Sequence, residues 1–450
     1  MAGAAALRLR VEKVVAGGYG LARQPLTGET VLVPFVLPDE TIEVRKTYQE
    51  KGVKWARAEH LLEPNPHRRE APCPYYGDCG GCDLQHADYA YQIEIKGGAL
   101  LETLRRVGRV DWHGPVTVVR SPEFGYRIRA TLKAAWPGGR LDIGFYRNRS
   151  RVVCAVERCL LLVEPLNACL PHLKCTLETR ALGRMGEIDA LSTDEGVLLW
   201  LRTDREPPTG LVRDLARIPG CAGVGIVRDA GGRSAHRIVQ RAGKDRAVLR
   251  VGRHAYLASP TCFFQANRFM HQALLDALDA VLPTSGRLAL DLYCGAGFFT
   301  QHLGDRFETV VGVEENADAI RLARDAAEAA GMGGLRFLAV DVCASLRDPG
   351  MTGSPDVVVV DPPRAGLASD GSLIEYLGSM RPPLLVYFSC EPSTLARDLG
   401  RLRASGFQLV DLRAFDMFPQ THHLEAMAVL RPEDTARHES TTDSTSRPGA

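Results

Sequence analysis

Five apolar runs set the strongest limit on how this chain can fold. "RLALDLYCG" (287–295), "TVVGVEE" (309–315), "LRFLAVD" (335–341), "DVVVVDPPR" (356–364) and "LLVYFSC" (384–390) alternate with amphipathic stretches. Among the latter are "RFMHQALLDALDAVL" (268–282), "NADAIRLARDAAEAAG" (316–331) and "STLARDLGRLRASG" (393–406). A strand that is apolar on both faces leaves no face for water, so helices must cover both sides. The pattern predicts a doubly wound, mostly parallel α/β sheet over residues 256–432. Such sheets bind ligands in the crevice beyond the carboxyl ends of their strands, so the residues at those ends matter most.

The first run enters a Gly-x-Gly turn, Gly295 and Gly297, which lets backbone approach a ligand closely. Dinucleotide sites place a third glycine three residues further on, where this chain has Thr300. The second run ends in Glu314, 23 residues after Asp291, suited to accept both hydroxyls of a ribose. Asp341 ends the third run, in reach of an adenine edge, and Asp361 ends the fourth. Acids often only cap helices, but carboxylates at successive strand ends suit S-adenosylmethionine better than a nicotinamide dinucleotide.

The fifth run ends in a thiol, Cys390, directly before a helical pattern. "DPPR" is similar to the Asp-Pro-Pro-aromatic motif of amino-group methyltransferases, with Arg364 in the aromatic position. An exocyclic amine attacks a methyl sulfonium with its own lone pair, whereas carbon 5 of uracil becomes nucleophilic only after something adds to carbon 6. A thiolate adds well and leaves again when a proton is lost. The helix starting near Ser393 is expected to lower the Cys390 pKa through its N-terminal dipole. A base must then take the carbon 5 proton; Glu425, His422 and His423 in "DMFPQTHHLEAMAVL" (416–430) are the candidates. Most cysteines are packing residues. Cys154, Cys169, Cys175, Cys221, Cys262 and Cys343 are assigned to the core, and Cys294 to packing behind the glycine turn.

The front of the chain reads differently. Residues 7–62 hold short alternating runs with glycine punctuation, which predicts a small β-barrel of the oligonucleotide-binding kind over 1–66. "PNPHRREAP" (64–72) reads as a linker. Residues 67–255 are mainly strand-like, apart from a helical stretch (84–115) that is expected to pack on the catalytic domain. The last residues, 433–450, are polar and Ser/Thr-rich and are expected to be disordered. Residues 1–255 carry 39 Lys+Arg against 29 Asp+Glu, and residues 256–450 carry 16 against 25. A basic front half on an acidic back half fits a nucleic-acid-facing module joined to a small-molecule module. Between 126 and 158, eight cations interleave with Tyr126, Trp136, Phe145 and Tyr146, a composition that single-stranded RNA sites use and that a solvated sheet face also allows. No run reaches the ~20 apolar residues of a membrane span, and the N-terminus is too quickly charged for a signal peptide. The expected location is cytoplasmic, without membrane contact or an obligate protein partner.

"CPYYGDCGGCDLQH" spaces Cys73, Cys79 and Cys82 as C-x5-C-x2-C. A compact triplet with one distant partner allows an iron–sulfur cluster held by four thiolates, whereas zinc is more usual for paired C-x2-C motifs. Cys159 is the preferred partner and Cys154 the competitor.

Five motifs, "SPTCFFQAN", "DLYCGAGFFT", "VVDPPRAGL", "FSCEPSTLARDL" and "MFPQTHHLE", together make the chain resemble the RNA uracil-5-methyltransferase family, up to about residue 431. The resemblance implies a Rossmann-like class I methyltransferase domain behind an RNA-binding TRAM barrel. It implies Cys390 as nucleophile and Glu425 as proton acceptor. Gln265, Tyr293, Glu314, Asp341 and Asp361 would contact S-adenosylmethionine or the target base. The chain departs at Phe298, where related bacterial ribosomal enzymes often carry a polar residue. The family's ribosomal-RNA branch holds a 4Fe-4S cluster on such a triplet plus a later cysteine matching Cys159, which points to 23S rRNA as substrate, with the tRNA T-loop uridine as the alternative. Two other readings are an iron–sulfur RNA-binding protein without catalysis and a nucleobase N-methyltransferase.

Overall fold

A computed structural model describes residues 6–179, 185–203, 207–229, 236–346, 353–367 and 370–433. The polar tail beyond 433 therefore lies outside the described residues. No described helix is long and apolar enough to cross a membrane.

Residues 7–63 form a seven-stranded sheet; in Leu7–Val15 alternate residues point inward, Leu9 and Val11 being buried between exposed neighbours, while Thr47–Glu50 and His60–Glu63 are exposed throughout. With Val31, Val33, Ile42 and Val44 they make a separate small core. Residues 64–72 are not a free linker. Arg68 donates to the buried Glu40 (2.5 Å) and to the Phe35 carbonyl, and Arg69 donates to Glu123 and Gln420. The prolines and charges that suggested a linker instead clamp this sheet onto the rest of the chain.

A second seven-stranded sheet fills the centre: Val153–Ala155, Asp142–Tyr146, Arg129–Ala135, Met185–Thr193, Gly196–Thr203, Cys221–Asp229 and His236–Gly243, in that spatial order. The helix Glu164–Glu178 packs on it through Leu166, Leu170, Leu173 and Leu177.

The third sheet has eight strands, ordered Leu335–Ala339, Phe307–Glu314, Gly286–Leu292, Val357–Val360, Leu385–Ser389, Glu425–Pro432, Phe407–Phe415 and Thr117–Val119. The first five are parallel, and Glu425–Pro432 runs antiparallel to both its neighbours. The strand Val357–Val360 is wholly buried, as the unbroken valine run predicts. Strand order reverses beside Gly286–Leu292, which opens a crevice at the carboxyl ends of that strand and of Val357–Val360.

Two early segments complete this unit. Thr117–Val119 pairs in parallel with Phe407–Phe415 as an edge strand. The helix Tyr89–Thr103, continued by a wider turn at Leu104–Gly108, lies against the helix Pro392–Ala404. There a side chain at Gly108 would meet the Ala396 carbonyl at 2.2 Å, so only glycine permits the approach. A buried ion pair, Lys96 to Asp416 at 2.5 Å, fastens the same helix to the catalytic sheet.

Candidate active site

The antiparallel pairing of the last strand places the chemistry. Ser389 pairs with Ala426, so one step further the chain sets Cys390 opposite Glu425. The neighbouring strand ends at Val360, which pairs with Tyr387, and Asp361 follows at the same mouth. Three residues distant in sequence thus meet at one end of the sheet.

Their electrostatics are severe. Desolvation comes first for both carboxyls; Asp291 then helps raise Asp361, to about 7, and Asp361 helps raise the buried Glu425 well above the usual carboxylate range. Burial, then the Glu425 and Asp361 charges, push the Cys390 thiol up to about 11, and Arg364 opposes them. The expected lowering by a helix dipole is overturned. The helix N-terminus is already occupied by the Glu391 side chain, which accepts from the Ser393 backbone and hydroxyl. Its negative charge offsets the dipole that would have served the thiolate.

Of the base candidates, His422 is held by Asp83 through Nδ1 at 2.6 Å. His423 is driven down to about 3 by burial and by the positive neighbours His422 and Arg364, so it holds a proton poorly at neutral pH. Glu425 keeps both the position and the proton affinity of a base.

The glycine turn lies beside this triad. Tyr293, at the strand mouth, has φ 65°, and Gly295 and Gly297 have φ 53° and 82°. A side chain at Gly295 would meet nothing nearer than 4.0 Å, so its absence leaves open space, whereas one at Gly297 would press on Ala323 at 3.2 Å. Glu314 is fixed by accepting from the Gly295 and Asn316 backbone. Asp341 caps the short helix Val342–Ser345 through the Ala344 N–H and remains exposed at the crevice. Gln265 donates to Asp361 at 3.3 Å, and its carbonyl accepts from His271. Phe298 is 7% exposed and packs edge-on to Phe264 and Phe299, so position 298 offers no polar contact.

Sequence reasoning passed over three groups. Asp291 is fully buried, accepts from Thr300 at 2.5 Å, and is raised to about 7 by desolvation; its Oδ1 has no partner. It interrupts the otherwise apolar, buried end of the strand Gly286–Leu292, which was the available signal. Asp398 is buried under the 361–367 loop, accepting from Tyr387 (2.9 Å) and the Leu367 N–H (2.8 Å). A side chain at Gly366, where φ is +79°, would meet Asp398 Oδ2 at 2.3 Å, so glycine is required for the loop to turn here. Asp83 ties the cysteine loop to the catalytic segment: its N–H and that of Leu84 donate to the Gln420 carbonyl, three residues before His423. The open space at Gly295, with the buried Asp291 carboxylate short of a hydrogen bond on the strand leading into it, fits a ligand carrying a sulfonium cation.

Cys73, Cys79, Cys82 and Cys159 line one cavity of about 320 Å³, and Cys154 is not among its walls. Burial raises the thiols of Cys79, to about 12, and of Cys82 and Cys159. Asn167 positions Cys159 by accepting from its N–H at 2.9 Å and donating to its carbonyl at 3.0 Å. Cys175, assigned to the core, is exposed, because the helix Glu164–Glu178 turns that position to solvent.

The family described as tRNA (Uracil-5-)-methyltransferase matches residues 353–432, and the methyltransferase small domain matches residues 269–377. A Pseudomonas aeruginosa protein named 23S rRNA (uracil(1939)-C(5))-methyltransferase RlmD is 33% identical over 433 residues, covering 94% of this chain and 93% of that protein. An Aquifex aeolicus protein named as an uncharacterized RNA methyltransferase is 34% identical, covering 95% of this chain and 99% of that one. The crystal structure of Pyrococcus abyssi tRNA (uracil-54, C5)-methyltransferase with S-adenosyl-L-homocysteine superposes with a TM-score of 0.75 at 26% identity, covering 94% of this chain and 99% of that one.

Proposed function

This chain belongs to the RNA uracil-5-methyltransferase family, and from that premise we propose that it methylates carbon 5 of one uridine in 23S ribosomal RNA with S-adenosylmethionine as methyl donor. The observation that carries the reading is the meeting of Cys390, Glu425 and Asp361 at one strand mouth beside the glycine turn. That grouping suits a carbon acceptor; an amine acceptor would need no thiol.

The bound cofactor supplies an electrophilic methyl carbon. Gly295 and Gly297 would admit it, Glu314 and Asp341 would take its ribose and adenine, and Tyr293, Gln265 and Asp361 would hold the reacting end. The chain's own residues do the rest. Cys390 thiolate adds to carbon 6 of uracil, forming a C–S bond and moving the ring electrons into an enolate. Carbon 5 would then take the methyl group as its bond to the sulfonium breaks, with S-adenosyl-L-homocysteine as the leaving thioether. Glu425 removes the carbon 5 proton, the C5–C6 double bond re-forms, and the thiolate leaves. Arg364 offsets the negative charge that would otherwise suppress the thiolate. A target uridine in folded RNA must be splayed out to reach Cys390.

The cysteine quartet suits a 4Fe-4S cluster. Among the described residues, the compact group with ligand atoms within 4.8 Å of one another is His254, His302 and Asp305; the four thiols are not so close. Tetrahedral zinc, with Zn–S of about 2.3 Å, needs them much closer, while a cuboidal cluster spreads its thiolates. Among the described residues no other cysteine lines that cavity. The barrel, a TRAM-like RNA-binding unit, and the basic central sheet would grip the substrate.

The test is to map 5-methyluridine in ribosomal and transfer RNA from a deletion strain. Loss at one 23S position supports the reading; loss only in the T-loop of tRNA transfers the same chemistry to tRNA. A Cys390→Ala enzyme that still methylates uracil carbon would refute it.

A further inference from the structure

A second concavity, of about 340 Å³, lies where four sequence-distant segments meet. The barrel contributes Tyr19 and Phe35, and the cysteine loop contributes Asp83. The hairpin tip after Asp142–Tyr146 contributes Tyr146, Arg147 and Arg149, and the segment leading to Glu425 contributes His422.

These walls are braced against one another. The hairpin tip is bonded to the cysteine loop by Gly80 N–H to the Tyr146 carbonyl and Asn148 N–H to the Asp78 carbonyl, both 2.9 Å. Gly80 has to be small, since a side chain there would lie 3.0 Å from the Tyr146 carbonyl. On the barrel side, Gly18 brings its loop onto Asp83, and Arg149 lies 3.6 Å over the Trp55 ring and pairs with Glu50.

The lining describes its ligand. Tyr19, Phe35 and Tyr146 offer aromatic faces, and Tyr146 is 38% exposed. Among the described residues the Arg147 side chain is held only by Asp78, at 3.0 Å, with both side chains about half exposed; such a pair is weak and yields to a phosphate. Asp83 Oδ2 is taken by His422, but its Oδ1 is buried without a hydrogen-bond partner. Aromatic faces, a cation at the rim and an unsatisfied acceptor together call for a flat ring that donates a hydrogen bond and carries an anion. The pocket is also close to the chemistry: the His422 and His423 rings are 4.0 Å apart, and Glu425 follows two residues later.

We propose that this pocket holds one nucleotide of the substrate RNA, within a few positions of the target uridine, and that Asp83 selects a base bearing an amino group. The inference rests on the uracil-methylation reading and adds to it a determinant of sequence context. Carboxylates accept from amino edges such as the cytosine N4 group; uridine lacks one, and its single N3–H is flanked by two carbonyl oxygens that a carboxylate repels.

The probe is an RNA hairpin with 5-fluorouridine in its loop and three randomised positions on either side. Fluorine at carbon 5 cannot leave as a proton does, so the Cys390 adduct persists after methyl transfer and survives a denaturing gel. Sequencing the captured RNA from the wild-type protein should show adenine, cytosine or guanine favoured over uracil at one position, by about fivefold or more. In Asp83→Asn and Tyr146→Ala, each checked for wild-type melting, that preference should fall to background while preferences at other positions remain. No preference in the wild type, or one that survives both substitutions, would overturn the pocket. Failure of the wild type to capture any RNA would instead overturn the uracil-methylation reading, and the pocket with it.

Discussion

Replacing Glu425 by glutamine should separate the two halves of the reaction. The Cys390 thiol is held at about 11 by burial, by Glu425 and by Asp361. At pH 8 a thiol with that pKa is about one part in a thousand thiolate, against about one in ten at the ordinary value of 9. Glu425→Gln keeps the shape and removes the second-ranked cause, so the thiol falls back by some fraction of that span. Each pKa unit recovered makes thiolate about tenfold more abundant. Attack on carbon 6 is therefore not slowed, but the group that removes the carbon 5 proton is gone. The expected result is close to one equivalent of covalent protein–RNA adduct with ordinary uridine RNA and S-adenosylmethionine, with no turnover. Tritium release from carbon-5-labelled uridine should fall by at least about a hundredfold, the usual worth of a positioned base. Release at the wild-type rate would refute the assignment of Glu425. Loss of both adduct and release would mean that Glu425 acts before sulfur addition, and would refute the division of labour argued here.

Other consequences follow from burial and ligation. Burial raises Asp291 to about 7 from 3.8, so between those values the native state keeps a proton that the unfolded chain releases, and stability falls as pH rises through that window. Asp291→Asn should therefore raise the melting temperature at pH 8 and change it little at pH 4; an equal effect at both would contradict the account. Lys96→Met leaves Asp416 buried and unpaired, and urea titration should show a loss of about 3–5 kcal/mol; a loss under about 1 kcal/mol would show that the pair does not fasten the helix. Purified without oxygen, the protein should be brown and hold about four irons. Cys159→Ser should lose them and Cys154→Ser should keep them, while a colourless wild type with stoichiometric zinc would overturn the cluster.

Local chemistry made much of this protein legible from sequence. A valine run such as 357–360 has no polar face, so it had to be a buried strand, and the residues at its end had to face a crevice. Gly295, Gly297, Asp361 and Cys390 were singled out in that way, and the alternating runs of 7–63 marked out short strands of the first sheet. What required the fold is whatever depends on register or on closing long loops. Only the pairing of Ser389 with Ala426 sets Glu425 against Cys390. Nothing local in "TVV" places Thr117–Val119 at the far edge of a sheet nearly 300 residues away in sequence. The linker at 64–72 became a clamp because Glu40, buried against the first sheet, needed Arg68. The thiol was expected to be acidic because a helix follows it; the carboxylates that make it reluctant arrive from two other strands. Periodicity reports a residue's immediate partners, water or core, but the charge a side chain feels is summed over everything the tertiary fold brings near it, and sequence spacing carries no record of that sum.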